Sequence, residues 1–234
     1  MPFDHNDHYH RLLLRQLPRG ARTALDVGCG TGRFARRMAL RGLEVDAVDR
    51  SAEVVAIARA VSGDGSGSPR FRQADLAETG LPRGHYDAIT CLASLHHMPF
   101  GTLAALRDAL APGGVLAVLG CYAEQGAADL LWSTAAVPVN AGARLAVAAK
   151  EAVGRSGAGG PESTKPPVQQ PSMTLAQIRR ESAELLPGRT VRRLLFWRYL
   201  LVFRNDAPVQ DRGPAVTQAP RANGSKDSAQ GIDA

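Results

Sequence analysis

The feature that most constrains this chain is a turn at residues 28–32, where three glycines are spaced as G-x-G-x-G. Apolar residues 24–27 before the turn predict a buried strand, and residues 33–41 after it predict a helix. Glycine suits such a turn because a Cβ would block the approach of a ligand or forbid the turn geometry. The segment therefore predicts a strand–turn–helix unit that brings backbone N–H groups close to a ligand.

An acidic residue just before the turn narrows the choice of ligand. The glycine spacing differs from the G-x-G-x-x-G of dinucleotide-binding enzymes. Asp26 ends the apolar run, so we expect its carboxylate at the mouth of the ligand site. A carboxylate repels a pyrophosphate but suits a ligand that carries an ammonium group.

Strand and helix patterns alternate along the first half of the chain. Apolar runs predict strands at residues 22–27, 44–49, 70–74, 86–92 and 115–120. Helical patterns occur at residues 6–17, 33–40, 52–61 and 102–110. This alternation predicts an α/β fold with a parallel, doubly wound sheet.

The second half of the chain departs from this alternation. Residues 175–186 predict a helix, and residues 190–196 and 199–204 predict two strands. Their connection is so short that the two strands must be antiparallel.

The segment at residues 123–172 is too long for a plain connection. We interpret it as a helical lid over the substrate side, with an apolar face formed by Trp132, Val137, Pro138 and Val139. The alternative is that this segment is a surface loop that takes no part in catalysis. Residues 1–204 would then form one domain, and residues 205–234, rich in Pro, Gly, Ala, Gln and Asp, are expected to be a disordered tail.

Composition excludes several classes of protein. The net charge is +6, but the basic residues are scattered and nearly all arginine, which is typical of a GC-rich genome, so a nucleic-acid partner is not expected. The three cysteines form no CxxC pair, so neither a metal site nor a disulfide framework is expected. The chain shows no signal peptide and no membrane span, which predicts a soluble cytoplasmic protein.

Further motifs follow the glycine turn in order: Gln-Ala-Asp-Leu at residues 73–76, Leu-His-His at 95–97 and Leu-Ala-Pro-Gly-Gly at 110–114. With the acidic residue and the glycine turn, they resemble the class I S-adenosylmethionine (SAM)-dependent methyltransferases over residues 20–122 and the terminal hairpin. The resemblance implies a Rossmann-like sheet of seven strands in the order 3-2-1-4-5-7-6, with strand 7 antiparallel and a helical insertion after strand 5.

The Leu-His-His segment resembles that of the ubiquinone/menaquinone-type and related small-molecule methyltransferases. It does not resemble the Asn/Asp-Pro-Pro-aromatic motif of enzymes that methylate amino groups of DNA. The resemblance therefore implies a small-molecule acceptor. An RNA methyltransferase and a SAM-binding protein without catalysis remain alternatives.

The resemblance also implies which residues bind SAM. Asp26 and the loop amides would hold its amino-acid part, Asp49 the ribose, and Asp75 with Leu76 the adenine. Asp49 fits NAD equally well, and Asp75 has the alternative role of a helix N-cap. An aromatic residue on the first helix would fold over the methionine end. The full set of candidates is Tyr9, Asp26, Gly28, Cys29, Gly30, Gly32, Asp49, Arg50, Asp75, Leu76, Leu92 and Ala93.

Two histidines are the candidates for catalysis. Methyl transfer from a sulfonium is an in-line displacement on an activated group, so the protein mainly aligns the reactants and excludes water. His96 or His97 would remove the proton of a hydroxyl acceptor, because imidazole titrates near neutrality. The alternative is that the pair caps the next helix or packs beneath the ligand.

Overall fold

The computed structural model describes residues 5–63, 65, 67–76, 78–123, 171–195 and 197–206. Most of the predicted lid, including its four apolar residues Trp132, Val137, Pro138 and Val139, lies outside these residues, as does the predicted tail from residue 207 onward.

A single sheet of seven strands forms the centre of the structure, in the order β3-β2-β1-β4-β5-β7-β6. Strands β1 to β5 pair in parallel, and β7 pairs antiparallel with both β5 and β6. The predicted strand order and the antiparallel hairpin are therefore confirmed. The strands are β1 Thr23–Val27, β2 Glu44–Asp49, β3 Arg70–Gln73, β4 Tyr86–Leu92, β5 Leu110–Cys121, β6 Thr190–Arg193 and β7 Arg198–Arg204.

Helices cover both faces of this sheet. They are α1 His5–Leu14, α2 Arg33–Ala39, α3 Ala52–Ser62, α4 Thr102–Ala109 and α5 Leu175–Leu185, with a short 3₁₀ turn at Leu95–His97. One apolar cluster joins α1, α2 and α3 to the sheet, and a second joins α4 and α5 to it. Alternate side chains of β1 enter the two clusters, with Ala24 in the first and Leu25 in the second. A doubly wound fold is the result.

The Pro-Gly-Gly segment lies within β5, although we predicted that this strand would begin only at residue 115. Strand β5 already pairs at Leu110, opposite Tyr86, and the register shifts before Ala88. Asn205 holds the irregular stretch, because Gly113 N donates to its carbonyl oxygen (2.6 Å) and its own N donates to Gly114 O (2.8 Å). The prediction was wrong because this clamp comes from a distant part of the chain.

Local signals set the beginnings of two helices. Val54 N donates to Ser51 Oγ (3.3 Å), so Ser51 caps α3. Thr174 and Gln177 form a reciprocal capping box at the start of α5. Arg107 then joins α4 to α5 by donating from Nη1 to Leu185 O (2.9 Å).

Gly120 in β5 leaves the space that the ring of Tyr199 in β7 fills. A Cβ at this position would lie 2.2 Å from Cζ of Tyr199. We expect Gly120→Ala to lower the free energy of unfolding by about 1–3 kcal/mol, measured by urea denaturation. In a Tyr199→Ala background the ring is absent, so the same change should cost little. An equal loss in both backgrounds would show that the collision is not the cause.

Candidate active site

The glycine turn lies at the carboxyl edge of the sheet, where β1 is flanked by β2 and β4. In open α/β sheets this switch point is where ligands bind. The turn is fastened to β2, because Gly28 N and Cys29 N both donate to Val48 O, at 2.8 and 3.0 Å. Its floor is therefore rigid.

Other amides of the turn also bond within the protein. Gly30 N donates to Asp49 Oδ2 (2.9 Å), and Gly32 N donates to Cys29 O (2.9 Å). We expected the loop amides to hold the ligand, but those of Gly28, Cys29, Gly30 and Gly32 are already satisfied. The turn therefore does not offer these amides as a cradle for phosphate, which agrees with the predicted exclusion of a pyrophosphate.

Two glycines of the turn are needed for different reasons. Gly28 has φ 67°, and a Cβ there would lie 2.2 Å from Cβ of Ser94. Ser94, which follows β4, donates from Oγ to Val27 O (2.6 Å) and so fixes this approach. Gly30 has φ 53°, and a Cβ there would meet no atom of the described residues within 4 Å. Gly28 thus allows close packing, whereas Gly30 borders open space. Gly32 also allows close packing, since a Cβ there would meet the ring of Phe71.

Asp49 ends β2 beside the turn with its carboxylate held in one orientation. Its Oδ2 accepts from Gly30 N (2.9 Å), and its Oδ1 accepts from Ser51 N (3.0 Å). Each carboxylate oxygen has a second lone pair. The residue is only half-buried, so these lone pairs suit the two hydroxyls of a ribose.

Asp26 is a buried carboxyl group beneath the turn, not at the mouth of the ligand site as we expected. The residue is 1% exposed, and Oδ1 accepts a hydrogen bond from Thr90 Oγ1 (2.9 Å). Its Oδ2 has no hydrogen-bond partner among the described residues. Burial raises the pKa of Asp26 to about 7; the Thr90 hydrogen bond lowers it and the Asp49 charge raises it. A cation bound above the turn would stabilise the ionised form of Asp26, although the burial of Asp26 limits direct contact between the two charges.

Arg50 crosses the groove between the ends of β3 and β4. Its Nε lies 3.0 Å from Asp75 Oδ2, and its Nη1 donates to His97 O (3.2 Å). Asp75 also begins a turn, because its carbonyl oxygen accepts from Glu78 N and Thr79 N. No helix assigned in the described residues begins at Asp75, so its alternative role as a helix N-cap gains no support, and its carboxylate contacts Arg50 instead. Leu76 packs beside it against the second apolar cluster.

Tyr9 connects α1 to the chain after β6. The residue is buried, and its hydroxyl donates to Leu195 O (3.1 Å). Burial raises its pKa, in spite of the nearby Arg198 charge and this hydrogen bond. Tyr9 belongs to the same apolar cluster as Cys29. A contact of Tyr9 with ligand stays a prediction.

The chain bends sharply after β4. Ala93 has φ 52°, which is unusual for a residue with a side chain, and its N donates to Leu119 O (2.7 Å). Leu92 packs partly buried against the first apolar cluster. Such backbone strain persists only where surrounding structure imposes it, and it clusters at functional sites.

A cavity of about 150 Å³ lies at the carboxyl ends of β4 and β5. Its described walls combine apolar and polar surface and are formed by Leu95, His96, Met98, Phe100, Cys121, Pro171, Ser172, Met173, Ile178 and Tyr199. His96 is half-buried there, and its Nδ1 is buried without a hydrogen-bond partner in the described part of the chain. Burial lowers the pKa of His96 to about 4, and His97 and Arg198 lower it further. The His97 ring lies 4.0 Å from that of His96 but does not line the cavity.

Three residues that build the site were not among the candidates from the sequence. Thr90 bonds Asp26, Ser94 bonds the end of β1, and Arg36 donates from Nη1 to Thr31 O (2.8 Å). A buried threonine within the apolar β4 was the one available signal. The partners of Ser94 and Arg36 depend on the fold.

The described residues contain no group of three or more His, Cys, Asp or Glu side chains able to hold a metal ion. Within the same residues, no helix has the length and apolar character that crossing a membrane requires.

Comparison with known proteins gives the family. Residues 24–114 match a family model described as a methyltransferase domain. An uncharacterized methyltransferase of Mycobacterium tuberculosis (strain H37Rv) is 34% identical over 210 residues, which cover 89% of this chain and 98% of that protein. The chain therefore belongs to the class I SAM-dependent methyltransferases, as the glycine turn and the later motifs predicted.

Two further relatives match in part. A ubiquinone biosynthesis O-methyltransferase of Xanthomonas campestris is 37% identical over 100 residues, or 42% of this chain and 41% of that protein. A solved structure of Haemonchus contortus phosphoethanolamine N-methyltransferase 2 covers 79% of this chain and 38% of that one, at 17% identity and a TM-score of 0.54. The structural likeness concerns the fold alone.

The residues at the switch point fit SAM. Asp49 has lone pairs for ribose hydroxyls, Asp26 supplies a negative charge that no described cation balances, and Gly30 leaves room above the turn. This donor set suits a ligand that carries a ribose and positive charge.

Gly28 and Gly30 should respond differently to alanine. Gly28→Ala meets Ser94 and should lower the free energy of unfolding by about 2–4 kcal/mol, because collision adds to the left-handed backbone cost. Gly30→Ala should cost about 1 kcal/mol but weaken SAM binding at least tenfold. Urea denaturation and isothermal titration calorimetry give the two values. Equal destabilisation by both changes would contradict this division.

Asp26→Asn should alter the pH dependence of stability. Because the pKa is raised in the folded protein, Asp26 favours folding at low pH and loses that contribution as pH rises from about 4 to about 7. In the SAM-free protein, the variant should therefore gain stability over the wild type as pH rises from 5 to 8. Thermal unfolding across this range measures the difference; parallel curves would show that Asp26 ionises normally.

Proposed function

We propose that this enzyme transfers the methyl group of SAM to a small-molecule acceptor by in-line displacement. SAM supplies an activated methyl group, whose carbon leaves sulfur with the bonding pair going to sulfur as the acceptor attacks. The chain needs to align the two molecules and exclude water. The RNA methyltransferase and the non-catalytic binding protein gain no support from the described residues.

The observation that carries this proposal is the position of the cavity beside the glycine turn. Ser94 contacts the turn, and the next two residues, Leu95 and His96, line the cavity. An acceptor in the cavity and a cofactor on the turn would therefore be neighbours at one edge of the sheet. The predicted lid, residues 123–172 of a catalytic domain at 1–204, would close over the same side.

Each end of the cofactor has a proposed partner. Asp49 accepts the ribose hydroxyls, and the Asp26 charge beneath the turn stabilises the ammonium group. Asp75 and Leu76 border the adenine, with Arg50 beside them. Tyr9 acts from α1, and Leu92 and Ala93 form the wall that follows β4.

His96 is the better supported of the two candidate bases. It lines the cavity, whereas His97 does not.

Removing the Asp49 charge should weaken SAM binding. Asp49→Asn loses a charge-assisted bond from Gly30 N and the ribose acceptor, so we expect at least a tenfold higher Kd by calorimetry. Asp87 is a matched control, because its Oδ2 also accepts from backbone amides, those of Arg22 (2.8 Å) and Thr23 (3.1 Å), at the other end of the strands. Asp87→Asn should leave the Kd unchanged; equal losses would indicate a general effect on stability.

The affinity for SAM should rise with pH below neutrality. Asp26 is largely protonated at pH 5 in the free protein, because its pKa is about 7. Ionising it costs binding energy, so we expect affinity to rise by up to about tenfold per pH unit from pH 5 to 7. Asp26→Asn should bind weakly with a flat profile. A flat wild-type profile would exclude Asp26 as the charge that the cofactor balances.

A further inference from the structure

We propose that Arg36 is a positioning residue for the cofactor: its guanidinium ties the glycine turn to the end of α3 and so keeps the turn in the shape that binds SAM. Arg36 acts through the backbone of the turn and not by contact with the cofactor. This inference rests on the proposed placement of SAM on the turn.

A single nitrogen of Arg36 holds two segments of the chain. Nη1 donates to Thr31 O in the turn (2.8 Å) and to Oγ of Ser62, the last residue of α3 (3.1 Å). This nitrogen carries two hydrogens, so both bonds can form at once. Ser62 Oγ in turn donates to Ala58 O (2.7 Å), which fixes the anchor within α3. The turn is therefore tied through Arg36 to a regular helix.

The bond from Arg36 fixes a peptide unit that is otherwise held at one end. In the unit that joins Thr31 to Gly32, Gly32 N donates to Cys29 O (2.9 Å). The unit that joins Cys29 to Gly30 is held at both ends, because Cys29 O accepts that bond and Gly30 N donates to a carboxylate at the end of β2 (2.9 Å). In the described part of the chain, Arg36 is the donor to Thr31 O. Without it, the glycine would make this unit easy to rotate.

Gly32 lets the guanidinium approach the turn. The residue precedes α2 as its N-cap, with φ 76°, and has no side chain that could cap the helix. A Cβ there would lie 2.5 Å from ring atoms of Phe71 and 3.1 Å from Nη1 of Arg36. The guanidinium therefore lies directly against the turn, at the place where a side chain on residue 32 would have been.

A charged donor suits this role. Arg36 is half-buried, and burial lowers its pKa; the Arg33 charge acts in the same direction and Cys29 in the opposite one. The two acceptors of Arg36 are a carbonyl and a hydroxyl oxygen, and a guanidinium forms stronger hydrogen bonds to such oxygens than a neutral donor does. Loss of this side chain should therefore loosen the turn and weaken cofactor binding.

Calorimetric titration of the full chain with S-adenosylhomocysteine (SAH) tests the inference. Arg36→Met keeps the aliphatic bulk but removes both bonds, so the Kd should rise at least about fivefold, whereas Arg36→Lys keeps a cationic donor and should stay within about threefold of the wild type. Arg107→Met is the matched control, because Arg107 is also half-buried and its Nη1 also donates to a backbone carbonyl, that of Leu185 (2.9 Å), on the other face of the sheet. It should leave the Kd unchanged. An unchanged Kd in Arg36→Met, or an equal rise in Arg107→Met, would overturn the proposal.

Ser62 separates a tether from a general effect on stability. Ser62→Ala removes the anchor and should raise the Kd for SAH about threefold. In an Arg36→Met background the same change should add nothing, because Ser62 acts through Arg36. Independent effects that multiply in the double variant would overturn the tether. If urea denaturation shows that Arg36→Met does not fold, an unchanged Kd in Ser62→Ala overturns it instead. Failure of the wild type to bind SAM or SAH would refute the proposed function, so the two failures are distinguishable.

Discussion

The close approach of Gly28 to Ser94 is the constraint on which the site depends. Because Gly28 has no side chain, the residue after β4 can reach the end of β1 and bond Val27 O (2.6 Å). The turn is then held on its other side by Val48 of β2. This three-strand junction fixes Asp49 through Gly30 and brings the His96 cavity beside the turn. The proposed cofactor site and the cavity beside it thus both depend on this packing contact.

Electrostatics complements this geometry. Amides of the turn that could have bound an anion are used within the protein, while a carboxylate with a raised pKa lies below them. The junction therefore favours a cationic ligand over a phosphate. Around the neighbouring cavity the charge is of the opposite sign, because the positive charge of Arg198 acts on His96 and no described lining residue is acidic.

Much of the fold was predictable from local patterns. Apolar runs marked the parallel strands, and the short connection before residue 198 implied the antiparallel hairpin, while the resemblance supplied the strand order. Ser51 as a cap followed from its own side chain. The clamp of Asn205 on β5 was not predictable, because its partners lie far away in the chain.

In the candidate site, too, local patterns were predictable and contacts between distant residues were not. Asp26 and Asp49 were marked by their positions at strand ends, but their bonding partners were not. The use of loop amides within the protein, the bridge from Arg50 to Asp75 and the cavity beside His96 all arise from contacts between distant segments. No sequence spacing encodes such contacts, since the sheet order determines which loops meet.

A crystal structure of the protein with SAH would show whether the cofactor lies between the glycine turn and the cavity. We expect ribose hydroxyls on Asp49, with the sulfur between the glycine turn and the cavity that His96 lines. A ribose bound elsewhere, or a sulfur separated from that cavity by protein, would contradict this expectation.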